Sequence, residues 1–92
     1  MGETLIEKLT KTPEGMRLYQ QERAIQELTD LMCEEMNEQG VSRHELAKRL
    51  GWTARDFAQM LDGEADMTVR AMSDVFTALG HTVHFSALNN EP

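Results

Sequence analysis

The chain has 92 residues, a length expected to hold one compact domain with a limited core. Apolar residues make up 40% and charged residues 27%, an ordinary globular mixture, and no apolar run approaches the roughly 20 residues that span a bilayer. The net charge of −7 argues against a general nucleic-acid binder, whose affinity comes largely from neutralising phosphates.

That charge is uneven. Residues 1–40 hold four basic and nine acidic side chains, residues 41–63 four and three, and residues 64–92 one and four. Only the middle segment, with Arg43, Lys48, Arg49 and Arg55, is net positive. The first residues lack the basic start and long apolar stretch of a secretory signal. Gly2 is followed at the critical position by Ile6, where a myristoylation signal has Ser or Thr. A single cysteine, Cys33, forms no internal disulfide framework. A reducing cytoplasm is the expected compartment.

In chain order, Leu5, Ile6 and Leu9 suggest a short first helix. Thr12-Pro13-Glu14 then reads as a helix start, with Thr as cap, Pro at the first helical position and Glu at the positive end of the dipole. Leu18, Ile25, Leu28, Met32 and Met36 recur at helical spacing up to Gln39, so one long amphipathic helix is expected there. Gly40 ends it. Ser42 and Glu45 have the spacing of a capping box, opening a helix over 43–50 that turns Leu46, Ala47 and Leu50 inward. Gly51 closes it with a left-handed residue. Thr53 offers another cap, and a helix to about Leu61 buries Phe57 and Met60. Asp62-Gly63 ends that helix, and a further one runs from Thr68 to Leu79 with Val69, Met72, Val75, Phe76 and Leu79 on one face, capped by Gly80.

Residues 81–88 change period. Val83 and Phe85 alternate with polar neighbours, which predicts a strand. A lone strand leaves backbone groups unpaired. The same strand of a second copy would satisfy them, so a two-fold homodimer joined through Val83 and Phe85 is expected. An extended tail on the domain's own surface is the alternative.

Two short helices joined by a glycine turn meet the requirements of a helix-turn-helix. Ala47 is small where the helices approach, Gly51 allows the sharp turn, and Phe57 is apolar where the second helix locks on the first. The stretch VSRHELAKRLGWTARDFAQMLDG, followed by MTVRAMSDVFTALG, resembles the Cro and phage-repressor-like helix-turn-helix proteins of the XRE family. The resemblance covers about residues 24–80. It implies an all-α, lambda-repressor-like bundle of about five helices with a C-terminal strand. In domain terms, 1–23 would be a helical extension, 24–80 the core, 81–88 the strand and 89–92 a tail. The acidic lead-in and the strand-like tail also look like small members that serve as antitoxins.

The resemblance implies double-stranded DNA as partner. Arg43 matches a position that contacts phosphate. Thr53, Ala54, Arg55 and Gln59 match positions facing base edges or the adjoining backbone. Their chemistry agrees: Arg pairs with guanine O6 and N7, Gln with adenine N6 and N7, and an Ala or Thr methyl with the thymine methyl. Asp56 is read as a capping residue. Trp52 serves either a sugar-phosphate contact or a cover for the small core. One departure stands out: where the family often carries basic residues after the recognition helix, this chain has Gly63-Glu64-Ala65-Asp66, whose carboxylates repel phosphate. That weakens binding, leaves the grip to backbone amides, or reflects reuse of the fold for protein contact, as in a toxin-binding antitoxin.

Met32, Met36, Met60 and Met72 fall on apolar faces and read as core, while Met16 and Met67 are candidates for exposure. Cys33, His44, His81 and His84 lack metal-ligand spacing, and no carboxylate pair is set up for acid–base catalysis. Neither a metal, a cofactor nor an enzymatic activity is expected.

Overall fold

The computed structural model describes residues 4–62 and 67–89. The described residues form five helices and no strand: α1 (Leu5–Leu9), α2 (Pro13–Gln39), α3 (Arg43–Leu50), α4 (Ala54–Leu61) and α5 (Val69–Ala78). The chain divides into two compact units, residues 1–34 and 35–92. Among the described residues, no helix is long and apolar enough to cross a membrane.

In the first unit, Thr4 caps α1 by accepting from the Glu7 amide at 3.1 Å. Thr12 likewise accepts from the Gly15 amide at 3.0 Å as α2 begins. Both hydroxyls satisfy amides that lack an intrahelical partner. Gly15 does more than tolerate a helical site. A β-carbon there would lie 1.6 Å from the Leu9 carbonyl oxygen, so the end of α1 comes down on the first turn of α2 where only glycine fits. α2 then runs unbroken for 27 residues. Its sequence stripe is buried unevenly: Met32 and Met36 are buried, Leu28 is half-buried, and Leu18 and Ile25 are exposed together with Leu31.

The second unit is built around α3, which packs against both α4 and α5. Its buried side chains are Met36, Val41, Leu46, Ala47, Phe57, Met60, Met72, Val75, Phe76 and Leu79. Each of its three short helices starts on a hydroxyl cap: Ser42 accepts from Glu45 N (3.1 Å), Thr53 from Asp56 N (3.0 Å) and Thr68 from Ala71 N (3.0 Å). The capping box at Ser42 is only half formed. The Glu45 carboxylate turns forward to Arg49, one turn on, at 3.0 Å, an i,i+4 pairing that competes with the reach back to the cap.

The left-handed turn after α3 fixes where α4 starts. Gly51 has φ +72°. Its amide donates to Lys48 O (3.1 Å), and the next amide, of Trp52, donates to Ala47 O (2.9 Å). This pair of bonds is the Schellman closure, and it needs a residue without a β-carbon penalty at its second-last position. Gly40 and Gly80 end α2 and α5 with the same pair of bonds, Val41 N to Met36 O and His81 N to Phe76 O being the longer loop of each. Gly80 therefore stands one residue beyond the cap, which is Leu79.

Beyond Gly80 the expected strand is absent. Residues 81–89 form neither helix nor strand. Alternation of Val83 and Phe85 defines two faces, but a ladder needs a second strand to exchange bonds with, and the described residues offer none. His81 is instead held by its backbone bond to Phe76 and by its ring, whose Nε2 lies 2.7 Å from Glu35 Oε2 on α2.

Three substitutions test this unit by urea denaturation. Leu46, with no exposed surface, is expected to cost about 2–5 kcal/mol on Leu46→Ala, while the exposed Val69→Ala stays within about 0.5 kcal/mol. Gly51→Ala is expected to cost about 1–2 kcal/mol for the left-handed residue. A destabilisation at Val69 equal to that at Leu46 would contradict the packing.

Candidate functional site

Four of the candidate residues lie on α4 or at its cap. Thr53 is its cap, and Ala54 and Arg55 are its first two helical residues. Phe57 and Met60 are buried. Because residues three and four apart share a face of a helix, Arg55 and Gln59 lie together on the side away from Phe57 and Met60. Arg55 is exposed and Gln59 half-buried. One face of this two-turn helix is therefore locked into the core, and the other presents a guanidinium beside a carboxamide.

Thr53 is committed and available at once. Its Oγ1 accepts from Asp56 N, yet a hydroxyl that accepts one bond still has a hydrogen to donate. Asp56 takes part in the cap through its amide, as the donor to Thr53. Ala54 is exposed, so its methyl faces solvent. Arg43 is the first residue of α3 and exposed.

Trp52 has a definite structural partner. Its ring lies 6.2 Å from the Phe57 ring, centroid to centroid, tilted by 45°, within the range of favourable aromatic contact. Trp52 is half-buried: it covers Phe57 at the turn and keeps part of its surface in solvent. The Phe57 contact fits the core-covering role open to it from the sequence.

One base of the middle segment, Arg49, is exposed but engaged by the chain itself. Arg49 donates from Nη1 to Ala78 O at 3.2 Å and from Nη2 to Glu45 Oε1 at 3.0 Å. It ties α3 to the last carbonyls of α5, where a cation is favoured by the helix dipole. Gln39 does the same from the end of α2, donating to Leu79 O at 2.7 Å. These two positioning residues were not marked by the sequence, since their partners lie 29 and 40 positions away. The local signal was limited to a base in the last turn of α3.

Val83 is half-buried and Phe85 is 68% exposed. The acidic stretch Glu64 to Asp66 lies outside the described residues. Comparison of the chain with protein families, with curated proteins and with solved structures returns no match.

The cap is directly testable. Thr53→Ala is expected to lower stability by about 1 kcal/mol and to speed amide hydrogen exchange at Asp56 most of all, while exchange in α5 changes only in proportion to global stability. Uniform acceleration with no excess at Asp56 would mean that α4 starts elsewhere.

Proposed function

We propose that this chain is a sequence-specific binder of double-stranded DNA, a dimeric cytoplasmic transcriptional regulator of the lambda-repressor-like helix-turn-helix type, and not an enzyme. The observation that carries this reading is α4 itself: a capped helix entered through a left-handed glycine turn, locked by Phe57 and Met60, with Arg55 and Gln59 on its free face. A helix so held can be laid in the major groove, which admits an α-helix and displays a distinct pattern of donors and acceptors for each base pair. Arg55 would read guanine and Gln59 adenine. Thr53 and Ala54 would meet the adjoining backbone or a thymine methyl, Arg43 a phosphate, and the solvent edge of Trp52 the sugar-phosphate chain.

The acidity of the whole chain makes the affinity of one copy modest, and two copies on half-sites about 34 Å apart would compensate. Val83 and Phe85 supply a candidate contact between copies. Strand pairing there would occupy backbone groups that no ladder uses among the described residues, and the exposure of Phe85 supports it.

A second reading, an antitoxin-like module that binds a basic protein, is favoured by the exposed acidic side chains Glu27, Asp30, Glu34 and Glu38 of α2. Stable co-purification with the product of a neighbouring gene tests it. It is compatible with autoregulatory DNA binding.

Gel shift against the chain's own promoter tests the first reading. Wild type is expected to prefer that duplex over random DNA at low salt. Arg55→Ala with Gln59→Ala should remove the preference, since one good bidentate pair to a base supplies about 1–3 kcal/mol of discrimination. Arg43→Ala should weaken all duplexes alike and reduce the slope of log K against log salt by about 1. No preference by the wild type would overturn the proposal.

A further inference from the structure

Asp56 enters the cap of α4 through its backbone alone. Its amide donates to Thr53 Oγ1 at 3.0 Å. A reciprocal cap would bring the side-chain oxygen back to the Thr53 amide, and no such bond forms: among the described residues, the Asp56 carboxylate joins no hydrogen bond and no ion pair. Glu45 stands at the same place in α3, three residues after its cap, and its carboxylate is taken by Arg49 one turn on at 3.0 Å. One turn on from Asp56 is Met60, which is buried. Asp56 therefore keeps an exposed acceptor that the fold does not use.

Its position is that of the reading surface. The buried Phe57 and Met60 set the inward side of α4. Arg55 lies nearly opposite them, with Ala54 and Asp56 flanking it about 100° away on either side. All three are exposed, and they make up the first turn, the part of a recognition helix whose side chains meet base edges.

A carboxylate has one good partner there. It only accepts hydrogen bonds, and beside a phosphate it is repelled. In the major groove, guanine offers two acceptors and thymine an acceptor and a methyl, so neither suits it. Adenine offers a donor at N6 next to an acceptor at N7, a pattern that fits a carboxamide better than a carboxylate. Cytosine offers its N4 donor alone. A carboxylate in the first turn is also favoured by the positive end of the helix dipole. That effect stabilises the helix and carries no base preference, so base preference is what separates the two roles.

We infer that Asp56 is a specificity-determining residue of α4, accepting from the N4 amine of a cytosine in the half-site. The inference rests on the DNA reading of α4 and deepens it: Arg55 and Gln59 supply attraction, and Asp56 selects against the other three bases at its position.

Competition binding of the full chain to its own promoter duplex, and to every single-base-pair variant of the bound site, tests it. Wild type is expected to require cytosine at one position of the half-site and to lose about 5- to 150-fold when it is replaced, the ordinary cost of a mismatched pair. Asp56→Ala should lose the requirement at that position alone, and should bind random duplex more tightly at low salt because a negative charge is gone. Its helical circular dichroism should be retained, since the cap uses the amide. Asp56→Asn should move the preference there from cytosine to adenine. Base requirements of Asp56→Ala that match those of wild type at every position would overturn the inference and leave the reading by Arg55 and Gln59 standing. Wild type with no preference for its promoter over random duplex would overturn both.

Discussion

The left-handed turn at Gly51 is the constraint on which the second unit depends. With φ at +72°, the chain reverses within two residues, returns the Trp52 amide to the Ala47 carbonyl, and delivers Thr53 in position to cap α4. Everything that makes α4 a usable surface follows from that entry. Phe57 meets the core at the right depth, Trp52 lies over it, and Arg55 and Gln59 are left on the outer face. A residue with a β-carbon at position 51 would strain the reversal and shift the start of α4.

The turn is backed by polar ties at the far end of α5. Arg49 from α3 and Gln39 from α2 donate to the carbonyls of Ala78 and Leu79. Those carbonyls lie in the last turn, where intrahelical donors run out. The ties hold α5 to the rest of the unit without burying a charge, since Arg49 remains partly solvated beside Glu45. Arg43, Lys48 and Arg55 are exposed as well.

Local chemistry was legible in the sequence wherever one residue and its near neighbours decide the outcome. Ser42, Thr53 and Thr68 mark helix starts because a side-chain oxygen three positions before an amide is a purely local arrangement. Gly40, Gly51 and Gly80 mark ends for the same reason. The core members Leu46, Ala47, Phe57, Met60, Met72, Val75, Phe76 and Leu79 follow from helical period, but Val69, on the same face at the start of α5, is exposed. What was not legible depends on distance. Nothing near Arg49 announces Ala78, and the spacing of Ser42 and Glu45 does not reveal that Glu45 prefers Arg49. The stripe on α2 predicted burial for Leu18 and Ile25 as for Met32, because period shows which face is apolar and not what covers it. The strand failed similarly: alternation describes an edge, and pairing requires a second strand. As for the site, Thr53, Ala54, Arg55 and Gln59 do come together at α4, and Trp52 turns out to be bound up with Phe57.

The central claim is that the outer face of α4 reads DNA. Chemical-shift mapping of the labelled protein, titrated with duplex from its own promoter, tests it most directly. The largest perturbations are expected at Arg43, Thr53, Ala54, Arg55 and Gln59, with Phe57 and the α5 core little changed. Perturbations confined to α2, or none at any site at low salt, would contradict it.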